Sequence, residues 1–147
     1  TLPTLKGDVF DFGCGAGVIG AAIKLRYPTV NITMADISAL AVASARETLR
    51  FNQLDGNVLA SDVYSEISST FDHIVSNPPF HAGLKTHYAA TETFLQHAPQ
   101  FLNRQGQLTV VANSFLRYPP FIEAAFGHCN TPAKNNKFAI YHAIKTA

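Results

Sequence analysis

Two short segments of this sequence hold the residue types that chemistry needs. The first is Asp11-Phe12-Gly13-Cys14-Gly15-Ala16-Gly17, where glycine alternates with other residues behind a carboxylate. Glycine has no Cβ, so the backbone can turn tightly there and come close to a ligand. The spacing is G-x-G-x-G. A dinucleotide site needs G-x-G-x-x-G and seats a diphosphate on a helix N-terminus. A third glycine one place nearer, with an acid just ahead, suits a ligand with no diphosphate and a positive charge. The second segment is Asn77-Pro78-Pro79-Phe80. An amino group conjugated to a ring or a carbonyl is a poor nucleophile, because its lone pair is delocalised. Two acceptors, one for each N–H, draw that nitrogen toward sp³ geometry and free the lone pair. The Asn77 side-chain oxygen and the Pro78 carbonyl can supply them. Pro78 and Pro79 stiffen the loop so that the acceptors are preorganised. Phe80 offers a flat face for an extruded base. No strong general base is needed, since the methylated nitrogen is cationic and sheds its proton readily.

S-adenosylmethionine fits the first segment: its ammonium group can be drawn to Asp11, directly or through water. Gly13, Cys14, Gly15 and Gly17 would form the backbone lining of its site. Asp36 follows Gly17 by 19 residues, ends a candidate strand, and can accept both ribose hydroxyls. Asp62 can accept from the adenine amino group, with Ile37 or Val63 packed on the ring, and Asn77 would stand at the reacting end. Each position has a plainer alternative. Asp36 or Asp62 could cap a helix or turn, and Asn-Pro is a common turn dipeptide. Their order along one chain favours the chemical assignment. Cys14 is better read as a small residue that fits the turn than as a nucleophile. His81 and His87 flank the second segment without a defined role. Lys85, Arg117, Lys134 and Lys137 can meet phosphates, but they are scattered in sequence and define no patch.

The elements that must position these groups alternate strand with helix. Strands are expected at Asp8–Phe12, Val30–Ala35, Val58–Ala60, His73–Ser76, Gln107–Ala112 and Phe138–Ile144. Helices are expected over Val18–Tyr27 with Ile19, Ile23 and Tyr27 inward, over Ala39–Asn52 with Val42, Ala45 and Leu49 inward, over Thr86–Leu102 with Pro99 kinking or splitting it, and after Pro119-Pro120 to Phe126. Ser38 is the expected cap of the second. The pattern implies a single α/β domain over residues 1–147, with a doubly wound, mainly parallel, seven-stranded-type sheet of Rossmann-like kind and an antiparallel strand at the C-terminus. Both segments then fall at the carboxyl ends of strands, where such sheets bind ligands.

Bulk properties agree. The 147 residues are 47% hydrophobic and 14% charged, which is a globular composition. No apolar run is long enough to span a membrane, and TLPTLKGDVF has no basic segment followed by an apolar run, so a cytoplasmic protein without membrane contact is expected. Two cysteines and no HxxxH or CxxC pair give no reason to expect a disulfide framework or a structural metal. The net charge of +1 and pI near 7.8 are low for a domain that holds nucleic acid alone.

Together VFDFGCGAGVIG, MADIS, SDVYS and SNPPFHAG resemble the class I methyltransferases. SNPPFHAG followed by a helix and VVANSFLRYP is similar to the C-terminal domain of the ribosomal RNA small subunit methyltransferase C family. That resemblance implies transfer of a methyl group from S-adenosylmethionine to the N2 amino group of a guanine in 16S rRNA, with the small (30S) subunit as partner. It also implies a fragment whose parent carries a further N-terminal domain. Adenine N6 and a protein glutamine amide are rival acceptors, because the same two hydrogen-bond acceptors serve all three. An inactive cofactor-binding scaffold is a rival of another kind.

Overall fold

The strand Asp8–Phe12 (β1) is apolar on both sides of its one interior carboxylate, as a strand covered on both faces must be, and it lies mid-sheet. The computed structural model describes residues 4–78 and 85–146, the first three of the latter stretch by backbone alone. The chain runs through α1 (Val18–Arg26), β2 (Asn31–Asp36), α2 (Ala39–Phe51), β3 (Asn57–Ala60), β4 (Phe71–Ser76), α3 (Lys85–His97), β5 (Leu102–Asn113), α4 (Pro119–Phe126), β6 (Asn130–Lys134) and β7 (Phe138–Ile144). These strands form one seven-stranded sheet in the order β3-β2-β1-β4-β5-β7-β6. β1 to β5 are parallel, and β7 is antiparallel to both β5 and β6. The chain winds outward from β1 to β3, then returns to β4 on the other side of β1. That reversal opens a crevice above the ends of β1 and β4.

Alternate residues of each strand feed two cores. Val9, Ile32, Met34 and Val75 meet Ala21, Val42, Ala45 and Leu49 of α1 and α2. Phe10, Phe12, Ile74, Leu108 and Val110 meet Phe94 and Leu95 of α3 and Ile122 of α4. Phe12 stacks on Phe94 with centroids 4.0 Å apart, which fixes α3 beneath the end of β1. Ser38 caps α2 by accepting from the Ala41 N–H at 3.2 Å, and the expected inward face of that helix is buried.

Three expectations need correction, and a fourth is met. Ile19 is exposed and does not face inward; the buried positions of α1 are Gly20 and Ala21. A Cβ on Gly20 would lie 2.7 Å from the Met34 sulfur, and one on Gly17 would lie 2.9 Å from the Ala45 Cβ. α1 sits too close to β2 and α2 for aliphatic side chains, so its small residues turn in. The long helix is split at Pro99 as expected: it ends at His97, and Ala98–Phe101 forms a separate 3₁₀ turn, because Pro99 cannot donate to a continuing α-helix. β5 starts at Leu102, ahead of Gly106, which sits in an irregular part of the ladder beside Gln105 at φ 65°. β6 was not expected at all: Asn130–Lys134 is exposed throughout and contains a proline, so neither alternation nor propensity marks it.

Candidate active site

The glycine turn is built from left-handed backbone. Gly13, Gly15 and Gly17 have φ of 64°, 54° and 80°, a region costly for residues with a Cβ. The three glycines do different work. Gly17 is required by packing against Ala45. A Cβ on Gly15 would meet no protein atom within 4 Å, so that position opens onto free space.

Asp36 ends β2 and holds the turn in place. Its Oδ2 accepts the Gly15 N–H at 3.0 Å and its Oδ1 accepts the Ser38 N–H at 2.9 Å. A carboxylate has about four acceptor sites, so lone pairs remain for a ligand. Cap and ligand acceptor are thus compatible roles for one side chain. Gly13, Asp36, Ile37, Asp62 and Val63 line one cleft, closed on its other side by Phe12, Ser61, Ala90 and Thr91. Ile37 is 67% exposed, an apolar side chain left open beside the carboxylates of Asp36 and Asp62 in the same cleft. Among the described residues the Asp62 carboxylate caps no N–H: the Ser65 N–H goes to the Asp62 backbone oxygen at 3.1 Å, and the Asp62 N–H goes to Ser65 Oγ at 3.0 Å.

Val63 has φ 55°, where a β-branched residue is strained by about 1–3 kcal/mol. Ser61 holds it there. Its hydroxyl donates to the Val63 carbonyl at 2.9 Å and accepts the Glu66 N–H at 3.1 Å. Strain of this kind at a cleft wall points to a position fixed for binding.

Asp11 lies under the turn and is 1% exposed. Its carboxylate takes the Gly20 N–H in the first turn of α1, a helix whose N-cap Gly17 has no side chain to do so. Its Oδ2 has no hydrogen-bond partner. Burial pushes the Asp11 carboxyl up to about 7, and the negative charge of Asp36 adds to the shift. Cys14 turns away from the cleft into the core beside α2, and its N–H is taken by the Ala35 carbonyl at 3.0 Å. Burial, then the charges of Asp11 and Asp36, push its thiol up to about 12, which rules it out as a nucleophile.

Asn77 follows β4 directly and is exposed. The residue before it fixes its place: the buried Ser76 hydroxyl donates to the Phe12 carbonyl at 2.8 Å. Gly13 and Asn77, the next residue on each strand, therefore start from one linked point. Pro78 is buried. Pro79, Phe80 and His81 lie outside the described residues, as do the side chains of Lys85 and His87. Ser61, Ser76 and Thr91 escape the sequence-based assignment. Thr91 is buried and hydrogen-bonded to Tyr118 from within α3, and single Ser and Thr residues carry no spacing signal. Among the described residues, no three His, Cys, Asp or Glu side chains gather closely enough to hold a metal ion, and no helix is long and apolar enough to cross a membrane.

A family model described as methyltransferase small domain matches residues 1–142. Among curated relatives, ribosomal RNA small subunit methyltransferase C of Aliivibrio salmonicida is 62% identical over 99% of this chain, and the protein of that name from Vibrio cholerae is 53% identical over the same share. The chain spans 43% of the length of each. Among solved structures, the T. thermophilus 16S rRNA N2 G1207 methyltransferase, in complex with AdoMet and guanosine, superposes with a TM-score of 0.85 at 28% identity, over 94% of this chain and 37% of that one. A ribosomal protein L11 methylase from Lactobacillus delbrueckii shares the fold, with a TM-score of 0.74 at 18% identity over 94% of this chain and 70% of that one.

Proposed function

Since the chain belongs to the methyltransferase small domain family, we propose that it transfers a methyl group from S-adenosylmethionine to the N2 amino group of a guanine in 16S rRNA, as the catalytic part of a longer protein. The observation that carries the reading is the convergence of Gly13, Asp36, Ile37, Asp62 and Val63 on one cleft, with Asn77 leaving the adjacent strand end.

The residues present fit the cofactor. The free space at Gly15, the unpartnered Asp11 Oδ2 and the apolar Ile37 at the cleft mouth match a nucleoside that carries a cation. When bound, the cofactor supplies an electrophilic methyl group on a sulfonium. Asp36 would accept the ribose hydroxyls, Asp62 the adenine amino group, and Ile37 and Val63 would cover the ring. Asp11 would place negative charge beneath the turn, opposite the ligand's ammonium. On the acceptor side, the Asn77 side-chain oxygen and the Pro78 carbonyl take the two N–H groups of the target amine, and Phe80 gives the base a surface to stack on. The amine is thereby oriented before reaction, which is where such sites gain most of their rate.

The two acceptors would serve an adenine or a glutamine amide as well. The preference for guanine N2 is supported by the likeness to the named rRNA methyltransferases and to the structure solved with guanosine. The test is to methylate small subunits from a strain lacking the enzyme, digest the rRNA, and identify the product nucleoside by mass spectrometry. N2-methylguanosine is expected. N6-methyladenosine, or methyl label recovered only in protein, would overturn the assignment.

A further inference from the structure

Arg117 lies 17 or more residues before Lys134 and Lys137 in sequence, yet the fold sets all three at one end of the sheet. β5 runs parallel to β4, with Val110 opposite Ser76, and continues for three more residues to Asn113. At about 3.3 Å per residue it rises some 10 Å above the start of the Asn77 loop. There it pairs with the hairpin between β6 and β7: Asn113 lies opposite Phe138, and Ala139 is paired to both Ala112 and Lys134. The turn after β5 is tied to the hairpin tip as well. The Ser114 N–H donates to the Lys137 carbonyl at 2.8 Å, and its hydroxyl donates to the Asn136 carbonyl at 3.0 Å.

Both segments are held rigidly, with their chemistry facing out. In the β5–α4 turn burial alternates: Leu116 and Tyr118 are buried while Phe115 and Arg117, each just before one of them, are exposed. The hairpin tip is closed by Asn135, whose Oδ1 accepts the N–H groups of Lys137 and Phe138, each at 2.8 Å. Phe115 is 66% exposed and Phe138 49%. From Asn113 to the end of the chain the only carboxylate side chain is Glu123, and among the described residues none of the three cations is salt-bridged. The charge of +1 therefore hides an uneven distribution. Residues 102–146 contain Arg104, Arg117, Lys134, Lys137 and Lys145 against Glu123 alone, so the excess of carboxylates lies in the half that builds the cofactor cleft.

We propose that the β5–α4 turn and the β6–β7 hairpin form an RNA-binding ledge beside the catalytic loop. Arg117, Lys134 and Lys137 meet phosphates, and Phe115 and Phe138 stack on unpaired bases next to the target nucleotide. The proposal rests on RNA being the substrate. Its occupant follows from the chemistry: cations without local carboxylates suit a polyanion, and exposed aromatic rings among them suit single-stranded nucleotides, whose bases are free to stack. β7 lies two strand spacings from β4, about 10 Å, so a few nucleotides can bridge from ledge to active site.

The experiment uses the full-length protein and two probes, protein-free 16S rRNA and assembled small subunits, with binding measured across a salt series. Combined Arg117→Ala, Lys134→Ala and Lys137→Ala should weaken binding to the free rRNA at least tenfold. It should also reduce the slope of log affinity against log salt by about 2 to 3, as expected for three lost phosphate contacts. Combined Phe115→Ala and Phe138→Ala should weaken binding about tenfold and keep the wild-type slope. Thermal melts and cofactor titration of each variant serve as folding controls and should match wild type. Wild-type affinity and slope in the triple variant would overturn the proposal. A loss confined to assembled subunits would also overturn it, by placing the ledge against a ribosomal protein. Binding and methylation fail separately here. A wild-type protein that needs the ledge to bind rRNA but makes no N2-methylguanosine would sink the proposed function and leave the ledge standing. Normal methylation by the triple variant at an unchanged KM would do the reverse.

Discussion

Replacing Asp11 by Asn tests the cofactor assignment through its dependence on pH. The buried Asp11 carboxyl, with one oxygen unpartnered, is raised to about 7, so near neutral pH it is half protonated in the free protein. A cation above it favours the charged form. Binding of S-adenosylmethionine should then release a proton, and apparent affinity should fall as the carboxyl is protonated. With the carboxyl at about 7, affinity at pH 6 should be roughly fivefold below its value at pH 7, with release of about 0.9 proton per ligand bound at pH 6. The ligand's own amino group deprotonates near 8, so the informative window lies below that. Cys14, pushed up to about 12, is silent in this range. The same carboxyl works against the free fold. Its native value lies above the ordinary 3.8, so the stability it lends is fully present below about 3.8 and is lost as pH rises through about 7, at up to about 1.4 kcal/mol per pH unit. Isothermal titration of the full-length protein in buffers of different ionisation enthalpy, from pH 5.5 to 8, measures affinity and proton release together. Asp11→Asn should bind more weakly at pH 8 and show neither the slope nor the proton. A flat profile in the wild type, or the same slope in Asp11→Asn, would refute the claim that this carboxylate faces the ligand's charge.

Gly15→Val should abolish cofactor binding by calorimetry; its Cβ meets no protein atom, so circular dichroism should stay native, and the strain of a side chain at φ 54°, about 1–3 kcal/mol, should show only as a lower melting temperature. Gly17→Val should instead fail to fold, since its Cβ is driven into Ala45. Asn77→Ala should cut turnover by about two to three orders of magnitude and change cofactor affinity less, as read from single-turnover rates and titration. Ser76→Ala removes the buried hydrogen bond to the Phe12 carbonyl and should cost about 0.5–1.5 kcal/mol in a denaturant melt; it should also lower kcat more than it raises KM, with Ser76→Thr restoring part of both. The 147-residue chain assayed beside its full-length parent on the same small subunits should methylate far less efficiently; equal rates would show that this domain recognises its substrate unaided.

Legibility in the sequence followed the kind of physics involved. β1 and β7 were readable to the residue, because a run such as Asp8–Phe12 or an alternation such as Phe138–Ile144 is a direct image of burial. The inward face of α2 was equally plain. α1 misled at Ile19, because Met34 and Ala45 come so close that Gly20 and Ala21 turn inward there, while Ile23 and Tyr27 are partly buried against the same core. The edge strand β6 has no buried side and so no periodicity to detect. In the site, residues with a strong chemical type and a fixed spacing (Gly13, Asp36, Asp62, Asn77) could be singled out as candidates from order alone, and three of them, Gly13, Asp36 and Asp62, line one cleft. Ser61 and Ser76 could not be, because a serine gains a role only from the carbonyl that folding brings to it. The same holds for the cations. Arg117 and Lys137 form no pattern in sequence, and only the ladder between β5 and β7 places them together.

The placement of Ser76 bears on how the reaction is organised. Transfer of a methyl group between two bound molecules needs the electrophile and the amine held within a few tenths of an ångström of a productive line, and either loop could drift if anchored separately. Here the two loops emerge from neighbouring parallel strands, one residue beyond Phe12 and one beyond Ser76, and the Ser76 hydroxyl joins the strands at that level. Phe12 is in turn pinned from below by its stack on Phe94. Displacing the glycine turn therefore requires breaking a buried hydrogen bond and an aromatic stack, both at the point from which Asn77 also departs. The rigid part of the site lies in this join. The lysines of the proposed ledge sit at β7 and beyond, three or more strands from Asp11, so an RNA bound there would leave the raised carboxyl of Asp11 to respond to the cofactor.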